Sequence, residues 1–378
     1  PPIAEILAEQ GGFPPPDPPT TTPPAQSPPA EEDSGGMCWS GSALLNLRWS
    51  VDLFGRGILG HKAAAYEVEA ARGDLEALRL MLTATLASTY LDVVSARSQV
   101  QVLEEQLAAQ SDLLEILQLR FSEGNAGGLE VLQQRQVVAS TRAALPTARL
   151  AATSQGNALA ALLGRGPTAM PEVASALPEP TELPPVGTPA QLLQRRPDLR
   201  AASDRVVAAR ARHAGATRGL LPTVAISANA GTSYAVGDEW SSIGTWGLGG
   251  TLSVPIFNGG AAHGAIQQAA GAELSMVRAL DTALLNAVRD VEGAVALEIQ
   301  QAERHQAVTL QVEAARQAFG EAQQRYLTGI DSFLNVLAAQ GALQAAELSL
   351  IQAHRDRLAA RVQLWTALGG STASGATP

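Results

Sequence analysis

Two long stretches of this chain repeat one another without a gap. Arg120 matches Arg325, Phe121 matches Tyr326 and Gly124 matches Gly329, each pair 205 residues apart. Val131 and Leu132 match Val336 and Leu337 at the same offset, and Leu159, Leu163 and Gly164 match Leu364, Leu368 and Gly369. A register kept over about 45 residues is more than helical composition alone produces. A shorter match precedes each copy: Trp49-Ser50-Val51-Asp52-Leu53-Phe54-Gly55 resembles Leu252-Ser253-Val254-Pro255-Ile256-Phe257-Asn258, at an offset of 203. Any fold for this chain has to use one structural unit twice.

The unit itself is legible from its periodicity. Leu75, Leu78, Leu82 and Leu86 follow one helical stripe, and Leu103, Leu107, Leu114, Leu117 and Phe121 continue at helical spacing. No proline lies between Pro29 and Pro146. A helix over 62–120 would be roughly 90 Å long, which implies a coiled coil or a helical tube. Gly124 is placed to cap it in the left-handed conformation within Gly124-Asn125-Ala126-Gly127-Gly128, and a second helix runs back towards Leu163. The second copy reads likewise: helix from about 261 to about 326, a turn at Gly329, and a return helix to Leu368. Composition agrees, because 46% of residues are hydrophobic but only 4% aromatic, leaving mostly Ala, Leu and Val for long packed helices.

Ahead of the first hairpin, Leu45, Leu47, Trp49, Val51 and Leu53 alternate with Asn46, Arg48, Ser50 and Asp52. Strict alternation over 44–54 predicts a strand with one apolar face, long enough to cross a bilayer when tilted. Pro222 opens a second strand region, in which Val224, Ile226 and Ala228 alternate with Thr223, Ala225 and Ser227. Across a loop, Trp246, Leu248, Leu252 and Val254 alternate with Gly247, Gly249, Thr251 and Ser253, the glycines suiting a crowded or curved sheet. Trp240 and Trp246 flank the loop, either as an interfacial aromatic belt or as loop packing.

The resulting map has five parts: 1–43, proline-rich and disordered; 44–165, a first repeat of one strand and a helical hairpin; 166–189, a linker; 190–370, a second repeat; and 371–378, a disordered tail. The second repeat carries an entry helix at 190–219 and a partner strand near 223–234. The first has no equivalents ahead of residue 44, so it reads as incomplete.

Several chemistries find little support. The net charge is -10 with scattered Lys and Arg, which argues against nucleic acid as a partner. The single cysteine, Cys38, excludes an internal disulfide framework, and no apolar segment precedes it as lipidation would need. No unbroken run of 18 apolar residues or signal-peptide start is present, so no transmembrane helix is expected. His61, His213, His263, His305 and His354 are far apart in sequence and show no metal-ligand spacing. Glu104 with Glu105, and Asp290 with Glu292, read as solvated helix faces. Gly247-Leu248-Gly249-Gly250 lies inside a strand pattern and opens no helix, so a phosphate cradle is not expected. An enzyme is not expected, nor any metal or cofactor.

Four stretches then carry a family resemblance. Thr188-Pro189-Ala190-Gln191-Leu192-Leu193-Gln194-Arg195-Arg196-Pro197-Asp198-Leu199-Arg200-Ala201-Ala202 resembles the segment that opens the second repeat of TolC-like outer membrane factors. The likeness is to the lipoprotein branch serving resistance-nodulation-division pumps. Val254-Pro255-Ile256-Phe257-Asn258-Gly259-Gly260, Arg325-Tyr326-Leu327-Thr328-Gly329 and Ala367-Leu368-Gly369-Gly370 agree with it, over roughly residues 44–370.

The resemblance implies a mainly α protein with a small membrane β-barrel portion. Each protomer would hold two repeats of strand and long helical hairpin, and a homotrimer would close one barrel and one α-helical tunnel. Leu47, Trp49, Val51, Val224, Ile226, Leu248, Leu252 and Val254 would belong to the barrel strands. The turns at 124–128 and 329–332 would form the periplasmic tip, with Gly124, Gly128, Gly329, Asp331, Ser332, Leu334 and Asn335 as tip or gate residues. Asp331 and Ser332 are expected as N-caps of the return helix. Many pump-linked relatives have Asp at the position of Ala338 and Arg at that of Gly341, so a charged gate is in doubt here and a tip closed by apolar contacts is expected.

The function implied is a passive outer membrane export duct of a tripartite efflux system in a Gram-negative bacterium. Its partners would be a periplasmic adaptor, an inner-membrane pump and outer membrane lipid. The alternative is a truncated remnant that does not insert, or a periplasmic coiled-coil structural protein.

Overall fold

The computed structural model describes residues 39–166, 173–180, 183, 192, 195–236 and 240–370. The expected disorder of 1–43 and 371–378 therefore falls outside the described residues, except for 39–43. Those five residues begin a strand, β1 (Trp39–Val51). Trp39-Ser40-Gly41-Ser42-Ala43 lacks a run of bulky alternating residues, but the backbone ladder holds it, pairing Trp39 with Val236 and Ala43 with Thr232.

Two compact units are present. The first is an antiparallel sheet in the order β1-β2-β3, with β2 spanning Thr223–Val236 and β3 Trp240–Ser253. The pairing places Leu47 opposite Ala228 and Leu248, Trp49 opposite Ile226 and Gly250, and Val51 opposite Val224 and Leu252. Directly paired residues share a face, so the large apolar side chains stand together. The other face carries Asn46, Arg48 and Ser50 against Ser227 and Asn229, and then against Gly247 and Gly249. Val254 and Leu53 lie outside the strands. Thr223 pairs with Ser253, and the next position on β2's side is Pro222, which has no amide to donate. Trp39, Tyr234 and Trp240 stand on the apolar face near one end, and Gly41 leaves room for the Tyr234 ring.

The second unit is helical. Its elements are α1 (Arg56–Ser122), α2 (Gly128–Leu162), α3 (Pro197–Thr217), α4 (Ala261–Leu327) and α5 (Phe333–Ala367). The hairpins α1/α2 and α4/α5 have the same dimensions, 67 and 35 residues each. A 67-residue helix is about 100 Å long. Asp52 starts α1 by accepting from the Arg56 and Ile58 amides at 2.7 and 3.0 Å, a carboxylate on the helix's positive end. α2 continues through Pro146. Pro197 sits in the first turn of α3, where its missing amide costs nothing, and Leu192 and Arg195 ahead of it are also helical.

α3 lies against both α1 and α4, and α1 also touches α5. Arg212 pairs with Glu67 at 2.8 Å, Arg200 with Glu76 and Arg205 with Asp74, tying α3 to α1. One core joins Leu199, Ala287, Val291, Ala294 and Leu364. Another joins Val93, Val94, Leu159 and Val173. A third lies at the hairpin tips. Among the described residues, α1 is the one helix long and apolar enough to cross a membrane by length and composition, with an 18-residue window of mean hydropathy 1.2.

Candidate functional site

Both tips are built by the same backbone device. In the first, the Gly124 amide donates to Phe121 O at 3.0 Å and the Asn125 amide to Arg120 O at 2.8 Å. In the second, the Gly329 amide donates to Tyr326 O at 3.0 Å and the Ile330 amide to Arg325 O at 2.9 Å. This double bond pattern satisfies the last helical carbonyls and needs a left-handed residue at its centre. Gly124 and Gly329 supply it, with φ of 76° and 75°. Arg120 and Arg325 stand in the last turns, where a cation meets the negative helix end.

The loops then diverge. Gly127 precedes α2 and Gly128 is already its first helical residue. In the second loop Ser332 holds the N-cap position, but its side chain makes no capping hydrogen bond. Asp331 does not cap the helix either. It accepts from Arg325 Nε at 2.9 Å and from Asn335 Nδ2 at 2.8 Å, binding the two legs of the hairpin to each other. Asn335 is thus occupied inside its own hairpin. Leu334 stands 63% exposed, as does its first-hairpin counterpart Leu129 at 67%, so both offer apolar surface to a neighbour.

A residue cluster absent from the sequence reading joins the two tips. Tyr326 is buried at the end of α4, and its hydroxyl donates to Glu130 Oε2 on α2 at 2.6 Å. The Arg120 guanidinium lies over its ring at 5.2 Å, and Phe333 packs at 5.3 Å with the rings tilted. Leu113, Leu117, Val131 and Val336 close the core beneath. Burial, then the Glu130 hydrogen bond and charge, push the Tyr326 hydroxyl up to about 12, so it keeps its proton at any physiological pH. Within one protomer the tip has a buried aromatic core, and a hydrogen-bonded clasp crosses it.

Among the described residues, no group of three or more His, Cys, Asp or Glu could hold a metal. Two histidines that are distant in sequence do meet, His305 and His354, with ring centroids 5.1 Å apart.

The sequence model of the outer membrane efflux protein family matches residues 26–165 and 188–370. The chain is 30% identical over 329 residues to the toluene efflux pump outer membrane protein TtgF of Pseudomonas putida, covering 86% of this chain and 68% of that one. It is 29% identical over 330 residues to the pyoverdine export outer membrane protein OpmQ of Pseudomonas putida, covering 87% and 70%. The solved outer-membrane channel OprN superposes with a TM-score of 0.78 at 26% identity, over 89% of this chain and 82% of that one.

Proposed function

The chain belongs to the outer membrane efflux protein family, and on that premise we propose that three copies close one β-barrel and one helical tunnel whose tips form the gate. It is an outer membrane channel component of an efflux system of a Gram-negative cell. Its family and relatives are transport channels, and we read the chain as a passive duct without covalent chemistry. An inner-membrane pump and a periplasmic adaptor would deliver small toxic molecules to it.

The observation that carries this reading is the one-sided sheet. Its apolar face is highly exposed, with Leu47 at 67% and Leu248 at 75%, as lipid contact requires. Strands of 13 or 14 residues, tilted as barrel strands are, span a hydrocarbon core of about 30 Å. The outer edges of β1 and β3 have no partner among the described residues, and open edges are not tolerated in lipid. Association of copies removes them. β1 and β3 run in the same direction, so a ring of strictly alternating strands would take one further strand per copy, from beyond the described residues.

The gate reading rests on the tips. Leu129, Leu132, Ile330 and Leu334 are exposed there, while Tyr326 and Glu130 hold the two hairpins of a protomer together. Detergent extraction of outer membranes, native mass measurement and planar-bilayer recording test the proposal together. A trimer with a mostly closed, occasionally conducting state is expected. A monomer that extracts without detergent and conducts nothing would sink the channel reading and leave the non-inserting alternative.

A further inference from the structure

The sheet carries one charge at neutral pH. Among the residues of β1, β2 and β3, Arg48 alone is ionised. It stands exposed on the face opposite the large apolar side chains, directly across from Ser227 and then Gly249. Asn46 and Ser50 flank it along β1, so the side chains around the arginine are short. Ser227 turns its hydroxyl to the Gly249 carbonyl oxygen at 3.4 Å and leaves the guanidinium uncapped. No carboxylate among the described residues pairs with Arg48. Asp52, four residues further on, is already engaged by the Arg56 and Ile58 amides.

We propose that Arg48 sets the ionic preference of the duct: one guanidinium from each copy forms a positive ring in the barrel lumen that favours small anions such as carboxylates and phosphates. This rests on the trimeric barrel proposed above.

The sheet decides which way the charge faces. An arginine on the lipid side of a barrel is strongly disfavoured, and the side that suits lipid is the one bearing Leu47 and Leu248. Arg48 is therefore on the water side. With four strands from each of three copies, spaced about 4.8 Å apart and tilted about 40°, the backbone ring has a radius of about 12 Å. The arginine stem carries each charge inward from that wall. The charges then lie within one Debye length of the axis, about 10 Å at 0.1 M salt, so their field fills the lumen. The guanidinium also holds its donors in a planar fork that matches carboxylate and phosphate oxygens. Rings of arginine or lysine side chains select anions in pores by the same physics.

Planar-bilayer recording of the full chain, under a KCl gradient centred near 0.1 M, tests this through the reversal potential. The chloride-to-potassium permeability ratio of the open state should fall about twofold in R48Q, fall further in R48E and stay near the parent value in R48K. At about 1 M KCl the Debye length is about 3 Å, and the differences should vanish. The tips lie in series with the barrel but are the same in every variant, so the differences report on position 48. A second measurement needs no variant to fold: inorganic triphosphate added from the barrel side of the unmodified channel should block its current at about 0.1 M KCl and not at about 1 M. Conducting channels with one ratio in the parent, R48Q and R48E overturn the proposal and leave the duct reading intact, as does a parent channel that triphosphate fails to block. A chain that conducts nothing overturns both.

Discussion

The two helical hairpins share lengths, turn chemistry and register, yet they are locked by different interiors. In the first, Gln110 and Gln134 are fully buried, with Gln134 Nε2 donating to the Gln110 carbonyl at 3.0 Å. The second has Ala315 and Ala339 at those places, 205 residues on. Conversely, the second buries an ion pair, Glu298 with Arg361 at 2.6 Å, where the first has buried Val93 and Gly156. At the tips Tyr326 is 9% exposed, and its counterpart Phe121 is 52% exposed. A duplicated unit has thus kept its backbone and diverged at a few interior positions. The backbone sets the shape of the hairpin, and those positions decide what each hairpin grips.

The ion pair offers the largest break. Replacing Arg361 by Met leaves Glu298 buried without its partner, and such a charge costs about 3–5 kcal/mol. Thermal unfolding of R361M should show that loss, because both side chains are buried. The double replacement E298V/R361M, which moves the second hairpin towards the apolar interior of the first, should recover most of it. Equal destabilisation by the single and double variants would show that the pair does not act as a unit.

The tip clasp comes next. Y326F deletes the hydroxyl and keeps the ring against Phe333 and Arg120. A hydrogen bond to a charged acceptor contributes about 1.5–3 kcal/mol. If the clasp helps to hold the tip shut, the closed-state leak in planar bilayers should rise about tenfold or more. F121Y adds a hydroxyl on the other hairpin, where the place matching Glu130 is Asn335, itself bound to Asp331. That variant should leave the leak unchanged. Equal responses from the two would abolish the asymmetry.

How much of this could be read from the sequence depends on the length scale of each signal. The hairpins were legible because periodicity accumulates over 67 residues and Gly124 and Gly329 mark the turns. β1 was legible where bulk alternates, from Leu45 to Val51, and lost over Trp39–Ala43, where only ladder pairing with β2 defines it. The clasp was missed because Tyr326 and Glu130 are 196 residues apart, and no local pattern reports that contact. In sequence Asp331 reads as a cap, because Asp-Ser before a helix fits that role. The structure turns its carboxylate to Arg325 and Asn335, a choice fixed by the opposite leg of the turn.

The glutamine pair tests whether the first hairpin trades stability for its polar interior. Both polar atoms of the Gln110 amide and the Gln134 Oε1 have no protein hydrogen-bond partner, and a buried polar atom left so costs about 1–3 kcal/mol. Leucine has a similar volume, so Q110L/Q134L should stabilise the helical unit by about 1–2 kcal/mol. Denaturant titration would register it as a shifted midpoint with an unchanged slope. A loss of stability would mean that the amides are satisfied in solution and the seam is fully bonded.

Alkaline titration gives the smallest effect and the sharpest contrast between the tips. A tyrosine raised from 10.0 to about 12 contributes its full stability below the unfolded value, and loses it as pH climbs towards 12. Within that window the unfolded chain gives up the proton while the folded clasp retains it, so folding is penalised progressively. At about pH 10.5 the loss should remain under about 1 kcal/mol, readable as a small fall in melting temperature. Subtracting the same scan on Y326F removes the other tyrosines and lysines from the comparison. The difference should vanish below about pH 9. Phe121 has nothing to titrate, so F121Y, exposed to solvent, should add no such term to the parent. A difference curve flat from neutral pH to about pH 11 would place the Tyr326 hydroxyl in water, and the two tips would then be equivalent after all.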